Sequence, residues 1–123
     1  MGASNPGQAA VQAESFARRA LTGSHKRKKR YQHKAAVAGD AIYRRFQVAP
    51  TKWRAKHLLY FFREYLADKS PSTKYQYWLA VRAALLGLNR YHDLEPHLRG
   101  PWCNPKGRES AGTGRRKPKL KRQ

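Results

Sequence analysis

A surplus of positive charge constrains this chain before any periodicity does: 27 Lys and Arg stand against 7 Asp and Glu in 123 residues, a formal net charge of +20. Like charge at that density repels itself when the chain compacts, and an anionic partner that neutralises it is the usual reason for keeping it. Phosphate backbones are the commonest polyanion in a cell, and each Lys or Arg set against a phosphate releases condensed counterions, so binding is favourable and salt-dependent. Length adds a second limit, since a chain this short holds one core at most.

The charge is unevenly placed. Residues 1–33 carry seven basic residues and one acidic one, including Lys26, Arg27, Lys28, Lys29 and Arg30 in a single run, and read as a disordered basic arm. Residues 100–123 carry eight basic residues and one acidic, spaced by Gly, Pro and Ser, and contain Arg115, Arg116, Lys117, Lys119, Lys121 and Arg122; they read as a disordered basic tail. Residues 34–99 hold most of the large apolar side chains at a net charge of +7, and are the expected folded domain.

Within that domain the apolar spacing is helical and strand signals are absent, so the expected fold is all-α, a small bundle of three to four helices. Val37, Ala41, Ile42 and Phe46 fall at helical offsets in a first helix over 35–46, closed before Pro50. A second opens with Thr51 as its cap and places Leu58, Phe61, Phe62, Tyr65 and Leu66 on one buried face. After a short break at 67–71, with Ser70 and Pro71 or Ser72 as its start, a third runs to about Arg90. Its apolar residues form two adjacent stripes, which makes it the central helix. Residues 92–98 are expected to add a short turn limited by Pro96.

On the second helix Lys52, Lys56 and Arg63 share a stripe with Tyr60 beside it, while Leu58, Phe62 and Leu66 point away, so one side docks on the core and the other meets phosphate. On the third, Arg82 sits in the most apolar stretch, and its expected partner is Glu64, Asp68 or a phosphate. Trp53, Tyr60, Tyr75, Tyr77 and Trp78 interleave with basic residues, in positions to fill the core or to stack on unpaired bases. The basic arms need no folded shape to follow a phosphate backbone.

Other chemistries find little in the sequence. Cys103 is the single cysteine, which rules out an intrachain disulfide and suits a reducing compartment. His92, His97 and Cys103 lack the spacing of a four-ligand metal set, and neither a metal nor a cofactor is expected. There is no phosphate loop, nucleophile elbow or paired-carboxylate arrangement, so no enzymatic activity is expected. No apolar run reaches the ~18 residues of a spanning helix, and no secretory signal stands at the start, so no membrane partner is expected. The expected location is the cytoplasm or the nucleoid, or the nucleus or an organelle in a eukaryote.

Leu59-Tyr60-Phe61-Phe62-Arg63-Glu64-Tyr65-Leu66, then Ser70-Pro71-Ser72-Thr73-Lys74-Tyr75-Gln76-Tyr77 and the apolar series to Leu88, resembles the N-terminal core-binding domain of tyrosine recombinases and phage integrases. That family shows an aromatic-rich helix, a Ser-Pro-x-Thr turn, then a helix with tyrosine near its start. The resemblance covers about a quarter to a third of the chain. It implies a four-helix, SAM-like bundle packed on one side of a DNA duplex, with Lys74, Tyr77 and Arg82 among the DNA-facing residues. The family's catalytic domain carries an Arg, Lys, His-x-x-Arg and Tyr constellation; here His97-Leu98-Arg99 leads only into a basic tail. The expectation is therefore a stand-alone, non-catalytic DNA-binding module, accessory to a mobile-element or plasmid machine and open to a protein partner in a larger nucleoprotein complex. The alternative is an RNA-binding structural protein, such as a ribosomal or RNA-chaperone component.

Overall fold

The computed structural model describes residues 3–103, and every regular element among them is helical. In chain order these are α1 (Pro6–Ala20), α2 (His25–Phe46), a 3₁₀ turn (Pro50–Lys52), α3 (Ala55–Tyr60) running into a π turn (Phe61–Tyr65), α4 (Pro71–Gly87), α5 (Tyr91–Leu94), and two 3₁₀ turns (Glu95–His97 and Pro101–Cys103). The bundle is built on α1, α2 and α4, each packed against the other two.

The first of these helices is a correction to the disordered arm expected over residues 1–33. Pro6–Ala20 is helical, Asn5 caps it by accepting from the Gln8 N–H, and the basic run 26–30 occupies the opening turns of α2, capped by Ser24. The physical reason is that the buried edge of α1 is made of alanine. Ala9, Ala13 and Ala17, four residues apart, are fully buried, and a stripe of methyl groups gives no hydrophobic signal of the usual strength. What it gives instead is close approach. A Cβ added at Gly39 of α2 would lie 2.6 Å from the Ala9 carbonyl oxygen, and one at Gly87 of α4 would lie 1.9 Å from that of Phe16. The domain boundary expected at residue 34 accordingly falls inside α2. The tail over 104–123, with Arg115, Arg116, Lys117, Lys119, Lys121 and Arg122, lies outside the described residues.

The second expected helix is interrupted twice. Thr51 is part of the Pro50–Lys52 turn, and the helix restarts at Ala55, where the Arg54 N–H donates to His57 Nδ1 at 3.0 Å. It then widens, with the Leu66 N–H reaching back five residues to the Phe61 carbonyl at 3.0 Å. The wider turn keeps Leu58, Phe61, Phe62 and Leu66 in the core but turns Tyr65, expected to be buried, to the surface at 46 % exposure. The third helix is as expected: Ser70 caps it, accepting from the Thr73 N–H at 3.2 Å, with Pro71 in first position. Trp78, Ala80, Val81, Ala83, Ala84 and Leu85 bury more than half its girth, while Arg82 and Leu86, the latter expected in an apolar stripe, are exposed on the remaining side. Asn89, at φ 60°, closes it as the Arg90 N–H returns to the Leu85 carbonyl. Trp102 folds the end of the described chain back, stacking on Phe62 at 5.2 Å and donating from Nε1 to the Leu98 carbonyl at 2.8 Å.

Helix propensity alone would make Gly87→Ala stabilising by about 1 kcal/mol. The Phe16 carbonyl reverses the sign: the added methyl forces α1 off α4, and the urea midpoint is expected to fall by the equivalent of about 2 kcal/mol or more. A gain in stability would mean that α1 does not sit against α4 in this way.

Candidate nucleic-acid interface

Residues 3–103 hold 19 Lys and Arg and six Asp and Glu, and the structure spends few of those carboxylates on neutralisation. Among the described residues two ion pairs form, Arg44 with Asp40 and Arg99 with Glu95, each one helical turn apart and exposed. Exposed pairs of this kind contribute little.

The cations rest on ring faces instead. Arg19 lies over Phe16 at 5.0 Å, Arg27 over Tyr31 at 4.9 Å, Lys34 over Tyr77 at 4.7 Å, Arg63 over Trp102 at 5.8 Å and Arg82 over Tyr91 at 5.6 Å; Arg45 lies over Phe46 at 4.9 Å and Tyr60 at 5.8 Å. A ring face attracts a cation without cancelling its charge. The positive potential therefore persists at the surface, with the side chains held in place.

One cleft gathers this pattern. It has a volume of about 280 Å³ and is lined by Arg45 and Phe46 from the end of α2, Lys56, Leu59 and Tyr60 from α3, and Arg63 and Glu64 from the π turn. Phe46 and Tyr60 meet edge to face at 5.3 Å and form its aromatic wall. The sequence-derived stripe is thus partly realised: Lys56 and Arg63 share the cleft with Tyr60, while Lys52, exposed on the 3₁₀ turn, is outside its lining. Arg45 is not among the residues that helical spacing picks out. It reads in the sequence as the end of a core helix, and the only hint is its place in Arg44-Arg45-Phe46, shortly before the proline that ends that helix.

A second cleft, about 220 Å³, lies between the α1–α2 connection and α4. Two of the expected residues, Arg27 and Arg82, line it together with Ala20, Leu21, Leu79, Ala83 and Leu86. Arg27 also donates to the Thr22 carbonyl at 2.9 Å. Arg82 is exposed rather than partly buried, and its neighbour is the Tyr91 ring rather than Glu64 or Asp68. The basic run itself is mostly open: Lys26, Lys29 and Arg30 are exposed and Lys28 is half-buried, all at the end of α2 where the helix dipole is already positive. Lys74 is half-buried at the start of α4. Tyr77 is half-buried between Lys34 and the edge of Phe61, and burial pushes its phenol above the usual range. Of the other aromatic candidates for base stacking, Trp53 and Trp78 belong to the core, and Tyr75 is half-buried.

His57 packs behind the cleft wall, 4.7 Å from Phe46, and is buried. Burial first, then the charges of Lys56 and Arg54, hold its imidazole below the ordinary range. Its Nδ1 accepts from the Arg54 N–H, which places the proton of the neutral ring on Nε2.

No protein-family model matches the chain, and neither a curated protein nor a solved structure does. No helix among the described residues is long and apolar enough to cross a membrane.

The His57 geometry predicts an acid-sensitive fold. An unfolded imidazole titrates near about 6.5 and the folded one lower, so the unfolded chain takes up the proton first. The stability that His57 contributes is complete above about pH 6.5 and is lost as the pH falls toward the folded value. The urea midpoint should drop between pH 7 and pH 5 in the native chain and be flatter in His57→Gln; equal slopes would assign the acid sensitivity elsewhere.

Proposed function

We propose that this protein is a non-catalytic nucleic-acid-binding protein that contacts the phosphate backbone, with DNA as the preferred partner, and that it works within a larger nucleoprotein assembly of the mobile-element or plasmid kind. The observation that carries this reading is the mismatch between charge and pairing. Of 19 basic residues in the described part, two are ion-paired, and the rest keep their charge available to an outside anion.

Placement supports it further. Five consecutive basic residues at the positive end of α2 oppose the helix dipole; that arrangement costs stability in the free protein and is relieved by phosphate. Lys56 and Arg63 converge on one cleft, Arg27 and Arg82 on another, the latter two from helices far apart in sequence. The preference for DNA rests on the integrase-like Ser70-Pro71-Ser72-Thr73 start of α4. The second reading, an RNA-binding structural protein, is supported by the same cations, because phosphate contacts carry no sequence or sugar information by themselves.

A salt titration of the full chain on matched duplex DNA and structured RNA tests the proposal. Binding should weaken steeply with salt, and DNA should be held at least as tightly as RNA. Replacing Lys52, Lys56 and Arg63 with Ala should lower the slope by roughly one unit for each phosphate that is no longer neutralised. Binding insensitive to salt would overturn the backbone reading, and RNA bound more tightly at every salt would replace DNA with RNA.

A further inference from the structure

The Arg45 cleft differs from the second one in what it offers a ligand. The Arg27–Arg82 cleft has an aliphatic floor, and its Arg27 is already engaged by the Thr22 carbonyl. The Arg45 cleft has an aromatic wall, Phe46 edge to face with Tyr60, and the guanidinium carbon of Arg45 lies 4.9 Å from the Phe46 centroid and 5.8 Å from that of Tyr60. Asp40, the carboxylate nearest the end of α2, is taken by Arg44. Arg45 itself is exposed, so part of its guanidinium stays open to a ligand while it lies beside the wall.

We infer that this cleft receives an unpaired nucleobase, stacked on the exposed guanidinium of Arg45, with Lys56 and Arg63 holding the flanking phosphates. The inference rests on the nucleic-acid reading above and gives that site its substrate class. Aromatic and guanidinium planes are the two surfaces proteins use to hold splayed bases, and this cleft brings both together. A paired base cannot enter a concave site, because its faces are covered by its neighbours in the duplex. Lys56 and Arg63 supply positive charge along the lining, and Glu64, the one carboxylate there, keeps phosphate off its own side and so orients the strand. The half-buried aromatic wall is held from behind by the neutral His57, which adds no further charge under the base. DNA with a gap, loop or single-stranded end and RNA with an unpaired segment present the same chemistry.

The test uses the full chain and fluorescence anisotropy on short oligomers of equal phosphate number: single-stranded DNA, the same strand with abasic sites in its central positions, and the corresponding pair in RNA. Stacking of one base predicts that the natural strand binds about 5- to 100-fold more tightly than the abasic one. Arg45→Lys keeps the charge but loses the plane, so it should remove most of that gap while leaving the salt slope unchanged; Tyr60→Ala should narrow the gap as well. Equal affinity of the native chain for natural and abasic strands overturns the inference, and so does a gap that survives in Arg45→Lys. A gap confined to the RNA pair keeps the base site and assigns it to RNA. Absence of salt-dependent binding to every oligomer would instead overturn the nucleic-acid reading itself, so the two failures are distinct.

Discussion

The close contact of α1 with Gly39 and Gly87, through Ala9 and Ala13 on one side and the Phe16 backbone on the other, is what the rest of the molecule hangs on. It brings the backbones of α2 and α4 close to α1 on both sides, with Ala9, Ala13 and Ala17 fully buried at the junction. Close backbone approach multiplies many small dispersion contacts, and so gives a short, polar, highly charged chain a core its few large side chains would not build alone. With α2 pinned through its middle, its two ends are free to carry charge: Lys26 to Arg30 at one, Arg44 and Arg45 at the other. With α4 pinned at Gly87, Trp78 is left to meet Phe62 of the π turn edge to face, and the Trp102 turn packs against the same helix.

Charge is handled by the same economy. The protein has too few carboxylates to pair its cations, and ring faces take their place, from Phe16 in α1 to Trp102 in the last turn. Each such contact at an exposed site contributes about 0.5–1 kcal/mol. It fixes a guanidinium or ammonium in position without neutralising it, which is what a surface meant for phosphate requires. The aromatic residues that hold the fold together and those that present its charge are therefore partly the same residues: Tyr60, Tyr77 and Phe46 each pack on one side and carry a cation on the other.

How much of this was legible in the sequence depended on side-chain size. Helices signalled by large apolar residues could be read: the 35–46 stretch of α2, the buried series Leu58, Phe61, Phe62 and Leu66, and α4 with its Ser70-Pro71 start. Helix α1 could not, because its packing code is alanine against glycine, and a polar segment rich in Ala with two Arg at its end looks like an arm. The π turn is equally silent in the sequence, and one wide turn was enough to put Tyr65 in solvent. For the site, Lys56 and Arg63 follow from helical spacing within one segment. Arg45 belongs to another helix and reaches the cleft only through tertiary packing. Arg82 sits among apolar neighbours in sequence, yet the helix turns it outward over Tyr91, since burial on a helix is decided by angle rather than by the company of adjacent residues.

The central claim is that the positive charge of the free protein is left unpaired by the fold. Thermal unfolding of the full chain, without nucleic acid, measured from about 20 mM to about 300 mM sodium chloride, addresses it directly, because salt screens exposed charges within a Debye length that shrinks across this range. Self-repulsion that is screened stabilises the fold, and each 1 kcal/mol gained raises the midpoint by about 4–8 °C. Unpaired charge predicts a midpoint that climbs steadily with salt. A midpoint that stays level or falls would mean that internal ion pairs already balance the charge, and would contradict the claim.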